Sequence, residues 1–348
     1  MQNTIPHSET PYKETRLNTS AESASPAANV AHSRHDDILL VTIDNPPVNA
    51  LGVDVRRGLL AAIEAADADP QVKAVVLVGA GRNFLGGADI REFGKPPQSP
   101  ALPDVCNRIE ACAKPVVAAI HGAALGGGLE VALGAHYRVA LGTAKLGLPE
   151  VLLGLLPGAG GTQRTPRLIG AQAALELMLS GRHIGAQEAA KLGLVDRVAE
   201  GDDAAAAGMA YARELIDAKA APRRTREAAA LGDRAVTQAA IDAAGAETGK
   251  KARGLFSPLK IVDAVQGALD LPFEDGMALE RKLFIECLDS PQRAGLVHAF
   301  FAEREAAKSP ETRSSKPRPI ASIGIIGGGT MGAGIAVAVL DAGLPVVM

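Results

Sequence analysis

Two glutamates sit beside glycine-rich chain in positions that could do proton chemistry. Glu130 closes the run Gly126-Gly127-Gly128-Leu129-Glu130. Glu150 closes Gly147-Leu148-Pro149-Glu150 and is followed by Pro157-Gly158-Ala159-Gly160-Gly161. A glycine run that opens a helix leaves N–H groups unpaired and presents a positive dipole end, and both favour a negative oxygen nearby. Glu130 would lie in the first turn of such a helix. A carboxyl among apolar neighbours, as at Glu150, resists ionising and can exchange a proton near neutrality. A third glycine turn, Leu85-Gly86-Gly87-Ala88-Asp89-Ile90, bends the backbone and frees an amide for a developing oxyanion. Each segment alone has an ordinary explanation: a connector turn, a carboxylate that complements a dipole, a surface loop. Together, two amide donors and two carboxyls supply what hydration of a conjugated thioester requires. The amides polarise the carbonyl, one carboxylate deprotonates the water that attacks C3, and the other acid protonates C2.

The elements that must position these groups alternate between strand and helix. Ile38 to Ile43 is a continuous apolar run that stops at Asn45-Pro46-Pro47, which predicts a buried strand. Ala74 to Gly79 and Val116 to Ile120 predict two more, each running into one of the glycine turns, and Tyr137 to Leu141 a fourth. Val55 to Ala68 spaces Leu, Ile and Ala as a helix does. From Gly170 to about Ala307 the pattern is mostly helical: Leu283, Phe284, Cys287 and Leu288 share one face, and Leu296, Val297, Phe300 and Phe301 another. The class is α/β.

Composition bounds the rest. The chain has 348 residues, 47% hydrophobic, enough apolar surface for one large domain or two ordinary ones. A formal net charge of −3 shows no overall basic character for nucleic acid or membrane surfaces. No apolar run reaches the roughly 18–20 residues that span a bilayer. Three cysteines, Cys106, Cys112 and Cys287, have no metal-ligand spacing, so no metal site is expected and reduced thiols in a cytoplasmic protein are. Residues 1–35 are rich in Ser, Thr, Ala, Pro and charge and read as a disordered tail. Glu9, Glu14 and Glu22 argue against a transit peptide.

From Asp36 to Ala220 the chain resembles the crotonase (enoyl-CoA hydratase/isomerase) family. The resemblance is carried by Asn45-Pro46-Pro47-Val48-Asn49-Ala50-Leu51, Gly87-Ala88-Asp89-Ile90, Gly126 to Glu130, and Pro149-Glu150 through Gln163-Arg164. It implies a β-β-α spiral core over 36–220 that acts on an acyl-CoA thioester without a cofactor. It places the oxyanion donors at the backbone amides of Ala88 and Gly127, the water-activating base at Glu130 and the C2 proton donor at Glu150. Having both acids favours hydratase, with Δ3–Δ2 isomerase activity able to coexist at Glu150. By the same resemblance, Ala50, Leu51, Gly87, Asp89 and Ile90 line the CoA path, and Arg91 is available to a phosphate. The family usually has small residues where this chain has Leu85-Gly86, and Leu85 is expected to narrow the entrance. Family members form trimers or hexamers, whereas fused forms are often monomeric, so the oligomeric state stays open.

A second motif lies near the C-terminus. After a helical region (221–308) and a Pro/Ser/basic linker (309–319), Ile320 to Ile326 predicts a strand. Gly327-x-Gly329-Thr330-Met331-Gly332 follows at once, then a helix over Ala333 to Ala342 and a strand from Leu344. That context is what a dinucleotide fingerprint demands. It resembles the NAD-binding start of 3-hydroxyacyl-CoA dehydrogenases, and Leu259 to Lys308 resembles the connecting region of peroxisomal-type bifunctional enzymes. NAD is therefore the implied cofactor of 320–348, an incomplete Rossmann segment, and Ser322 to Met348 is expected to pack poorly or to borrow contacts from the hydratase part. The chain stops before the acidic residue expected about 20 positions on. Hydration of trans-2-enoyl-CoA to (3S)-3-hydroxyacyl-CoA is the leading expectation. The alternatives are an NAD-dependent dehydrogenase and a non-catalytic acyl-CoA-binding remnant.

Overall fold

A computed structural model describes residues 29–92, 95–228, 231–252, 254–306, 308 and 318–348. In chain order the elements of the first part are β1 (Val30–His35), β2 (Ile38–Ile43), α1 (Val53–Ala68), β3 (Ala74–Gly79), α2 (Leu102–Ala111), β4 (Val116–Ile120), β5 (Ala123–Leu125), α3 (Gly127–Gly134), β6 (Tyr137–Leu141), β7 (Lys145–Gly147), α4 (Gly161–Ile169), α5 (Ala171–Ser180), β8 (Ile184–Gly185), α6 (Ala186–Leu192), β9 (Arg197–Ala199) and α7 (Ala204–Asp217). Helices α8 (Arg234–Lys251), α9 (Ser257–Asp270), α10 (Phe273–Leu288) and α11 (Pro291–Ala306) follow. The last elements are β10 (Ile323–Gly324), α12 (Thr330–Asp341) and β11 (Val346–Val347).

One sheet runs β1-β2-β3-β4-β6-β9, with β1 antiparallel to β2 and every other pair parallel. Val76, Val117, Ala119 and Val139 point to one face and meet Ala204, Tyr211, Ala212 and Leu215 of α7. Val75, Leu77, Ala118 and Ile120 point to the other and join α1, α2 and α3. With both faces covered, these strands have no polar side, which is why they read as unbroken apolar runs. A smaller sheet, β5-β7-β8, pairs Leu125 with Gly147 and so sets the register between the two glutamate-bearing segments.

Several expectations need correction. Order does not wait for Asp36: residues 30–35 form β1, whose polar side chains are exposed while its backbone pairs with β2. Edge pairing needs only backbone donors and acceptors, so a polar hexapeptide gives no apolar signal of it. Residues 1–28 of the expected tail lie outside the described residues. The helical region is not separate from the core. Ile241, Ile261, Val265 and Leu283 belong to the same apolar cluster as the sheet, and one compact unit extends over Met1–Val297. The expected linker lies outside the described residues except for 318–319.

The second unit is His298–Met348, so its boundary falls inside α11 rather than at residue 320. The strand expected over 320–326 is only Ile323–Gly324, parallel to β11. Ala336 is its sole buried apolar side chain among the described residues, and Ile326, Met331, Leu340 and Val347 are exposed. Among the described residues no helix is long and apolar enough to cross a membrane.

Candidate active site

The site is assembled where the strand-to-helix connections bring three glycine turns together. After β2, Asn49 takes a positive φ of 55°, and its side-chain amide donates to the carbonyls of Ala80 and Asn83 at 2.9 and 2.8 Å, pinning the turn after β3 that leads to Ala88. Leu51, fully buried, donates its N–H to Gly87 O at 2.9 Å, and Asn45 holds Ala50 O at 2.7 Å. Leu85 does not face an entrance. It is fully buried and bridges Ala124, because its main chain serves as one more strand-like pairing beside β5.

Gly126 has φ 51° and ψ −127°, a conformation open in practice to glycine, and it turns the chain from β5 into α3. A Cβ at Gly128 would lie 2.1 Å from Leu85 O, and one at Gly127 would lie 3.2 Å from Ala88 N. The glycine run therefore lets the start of α3 press against the first turn, with Gly127 close against the Ala88 amide. As the first residue of α3, Gly127 has no carbonyl one turn back within its helix. Among the described residues no carbonyl accepts from Ala88 N–H, and Ala88 is exposed.

Every residue of α3 is buried, Glu130 included. Its Oε1 accepts from Ala159 N at 2.7 Å and Gly161 N at 2.8 Å, so both amide bonds converge on one oxygen and Oε2 keeps its capacity for water. Burial pushes the Glu130 carboxyl up to about 7 against the lowering pull of those amides and Arg164. Glu150 lies in a short 3-10 turn, Pro149–Leu153, directly after β7. The Leu125–Gly147 pairing brings it over Gly126, whose added Cβ would meet Glu150 Oε1 at 3.0 Å. Glu150 is half-buried as a residue, yet its Oε2 is enclosed without a hydrogen-bond partner. Burial, reinforced by the Glu130 charge, raises its carboxyl well above the usual range.

Two carboxylates that the sequence did not single out, Glu110 and Glu280, lie near the site together with Arg164, which the sequence offers only as part of a motif. Arg164 is fully buried and pairs with Glu110 at 2.7 Å. Burial alone would raise Glu110, but Arg164 and Arg226 hold it below the usual carboxylate range. Glu280, from α10, accepts from Gly160 N at 2.7 Å and from Thr162 N at 3.0 Å, and burial and the Glu130 charge raise it to about 8. The available signal was one carboxylate on the apolar face that carries Leu283, Phe284 and Cys287.

The residues expected along the CoA path divide. Ala50, Leu51, Gly87 and Asp89 gather beside the Ala88 amide, while the side chain of Ile90 lies outside the described residues. Arg91 is exposed and bonded to Asp89 at 2.7 Å. In the second unit Gly327 has φ 105°, and a Cβ at Gly332 would lie 1.8 Å from Gly327 O. Gly329 precedes α12, which opens with Thr330 and Met331. Among the described residues no cluster could hold a metal ion.

The family described as "Enoyl-CoA hydratase/isomerase" matches residues 33–251, more than half of the chain. This chain belongs to that family. Among solved hydratase/isomerase relatives, a carnitinyl-CoA dehydratase from Mycobacterium avium 104 is similar at 29% identity and a TM-score of 0.58, covering 78% of this chain and 96% of that one. A Peroxisomal bifunctional enzyme of Danio rerio is 46% identical over 89% of this chain and 44% of its own length. A Peroxisomal fatty acid beta-oxidation multifunctional protein of Oryza sativa subsp. japonica is 40% identical over 90% of this chain and 45% of its own. The chain thus spans about half the length of the curated relatives it matches. The cytoplasmic location expected from the cysteines has no support in these relatives, whose names are peroxisomal.

Proposed function

We propose that the first unit hydrates trans-2-enoyl-CoA to (3S)-3-hydroxyacyl-CoA. The observation that carries this is the placement of two carboxyls at one glycine turn: Glu130 in the first turn of α3 and Glu150 Oε1 over Gly126, with the Ala88 amide against Gly127. Burial raises both carboxyls, Glu130 to about 7 and Glu150 well above the usual carboxylate range, which suits Glu130 to the part of base and Glu150 to that of acid. In this reading the thioester oxygen accepts from the Ala88 and Gly127 amides, which draws electron density from C3. Water held at Glu130 Oε2 loses a proton to that carboxylate as its oxygen bonds to C3. Glu150 then gives its proton to C2, and the enzyme returns to its starting state by moving one proton from Glu130 to Glu150 through solvent. Ala50, Leu51, Gly87, Asp89 and Ile90 would lie along the CoA chain, with Arg91 available to a phosphate once freed from Asp89.

The names of the relatives extend the proposal to fatty-acid β-oxidation in peroxisomes rather than the cytoplasm. In the second unit the contact between Gly332 and Gly327 fits the close packing that a dinucleotide turn needs, so Gly327, Gly329, Thr330, Met331 and Gly332 would meet the pyrophosphate of NAD. When bound, NAD supplies hydride acceptance from a hydroxyl carbon. The hydratase reading is tested by following loss of the conjugated-thioester absorbance of crotonyl-CoA. Glu150→Gln should fold and lower turnover by about 100-fold or more. Full activity in that variant sinks the assignment.

A further inference from the structure

The turn at 159–162 divides its amides between two carboxylates. Ala159 N and Gly161 N donate to Glu130 Oε1, at 2.7 and 2.8 Å. The alternate amides, Gly160 N and Thr162 N, donate to Glu280 Oε1 and Oε2 at 2.7 and 3.0 Å, and Thr162 Oγ1 adds a bond to Oε2 at 2.5 Å. Gly160 sits at φ 97°, which is how four successive N–H groups can face two acceptors. Glu280 lies outside the 33–251 stretch that matches the family. It is 1% exposed and reaches the turn from 120 residues further along the chain.

Helix α10 is seated on this turn by one stripe. Gly276, Glu280 and Phe284 are spaced i, i+4, i+8 and share a face. At Gly276 an added Cβ would meet Gln163 Oε1 at 2.2 Å, and at Gly158 an added Cβ would meet Phe284 Cδ2 at 2.4 Å. Contacts this tight on both sides of Glu280 fix its carboxylate against the turn.

We propose that Glu280 is a positioning residue for Glu130: by holding Gly160 and Thr162 it fixes the turn whose intervening amides orient the Glu130 carboxylate. The inference deepens the hydratase reading and rests on it for its kinetic arm. A glutamine at 280 cannot reproduce the clamp. Both glutamate oxygens accept from backbone N–H groups, so the glutamine NH2 must face one donor with another. Glu280 also interacts electrostatically with Glu130, Glu150, Arg164 and Cys106.

The test compares Glu280→Gln and the milder Thr162→Val, which deletes the hydroxyl's bonds to Glu280 and Gln163 and leaves the backbone bonds to Glu280 in place. Both are assayed with crotonyl-CoA, and the Glu130 carboxyl is followed by 13C NMR of glutamate-labelled protein, assigned with Glu130→Gln. Glu280→Gln should lower kcat about 10- to 100-fold with KM within about twofold, because orientation of the base is lost and substrate binding is not. Thr162→Val should lower kcat a few-fold in the same way, and in both variants the Glu130 resonance should be displaced. Folded Glu280→Gln with wild-type kcat and an unmoved Glu130 resonance overturns the proposal. So does a loss of activity fully accounted for by a smaller folded fraction. If Glu280→Gln does not fold, Thr162→Val decides by the same two readouts. If the wild-type protein does not hydrate crotonyl-CoA, the hydratase reading fails, while the Glu130 resonance still tests the clamp.

Discussion

Replacing Glu130 by glutamine should separate catalysis from stability, and the hydrogen-bond geometry says why. Both amides that hold Glu130 donate to Oε1, so a glutamine carbonyl can keep both bonds and turn its NH2 toward the water position. The fold should survive, but the base is gone, and kcat should fall by about 10²- to 10⁴-fold. The effect on stability has the opposite sign and depends on pH. The Glu130 carboxyl is raised from 4.5 to about 7 by burial. A group raised in the folded state contributes fully below its unfolded value, and that contribution is lost as pH rises through the folded value. The shift corresponds to about 3 kcal/mol lost by the wild type above neutrality, at roughly 1.4 kcal/mol per pH unit. Glutamine does not ionise and escapes this loss. Urea unfolding followed by circular dichroism at about pH 5 and about pH 8.5 should show the variant gaining on the wild type by roughly 2–3 kcal/mol between the two conditions. A stability difference that stays flat with pH, or a variant that keeps more than about a tenth of wild-type kcat, would refute the reasoning.

The remaining predictions test the parts separately. The pH dependence of kcat/KM should rise through about 7 as Glu130 ionises, then fall at higher pH as Glu150 loses its proton; a rate that stays level across neutrality contradicts the assigned roles. Gly126→Ala combines a left-handed φ of 51° with a Cβ 3.0 Å from Glu150 Oε1. It should cost about 1 kcal/mol or more of backbone strain and strongly reduce turnover by displacing Glu150, seen in steady-state kinetics and thermal melting. Arg164→Met leaves Glu110 buried beside Arg226 alone and should destabilise the fold by about 3–5 kcal/mol in urea titration. A melting midpoint unchanged in that variant would remove Arg164 from the core network.

Much of the architecture was legible because its signals are local. Four central strands are buried on both faces and announce themselves as apolar runs, and α1 shows its helical spacing. What was missed is short or polar. Strand β1 carries exposed side chains and depends on backbone pairing, while β5, β7 and β8 are two or three residues long and exist only through one another. Leu85 was misplaced for a related reason: its sequence neighbours are turn residues, but its main chain pairs with Ala124 and its side chain enters the core.

The site divides along the same line. Glu130, Glu150 and the glycine turns were each legible locally, through glycine's conformational freedom and the first-turn position of a carboxylate, and were grouped by the chemistry they could share and by the family resemblance. Only the tertiary structure decided how those acids behave. Glu130 is oriented by amides 29 and 31 residues away, its ionisation is set by burial, and the turn that orients it is gripped by Glu280, 120 residues beyond Gly160. No local pattern encodes such contacts. A carboxyl on an apolar helix face signals only that a partner is needed, and the partner is supplied by packing α10 against the loop before α4.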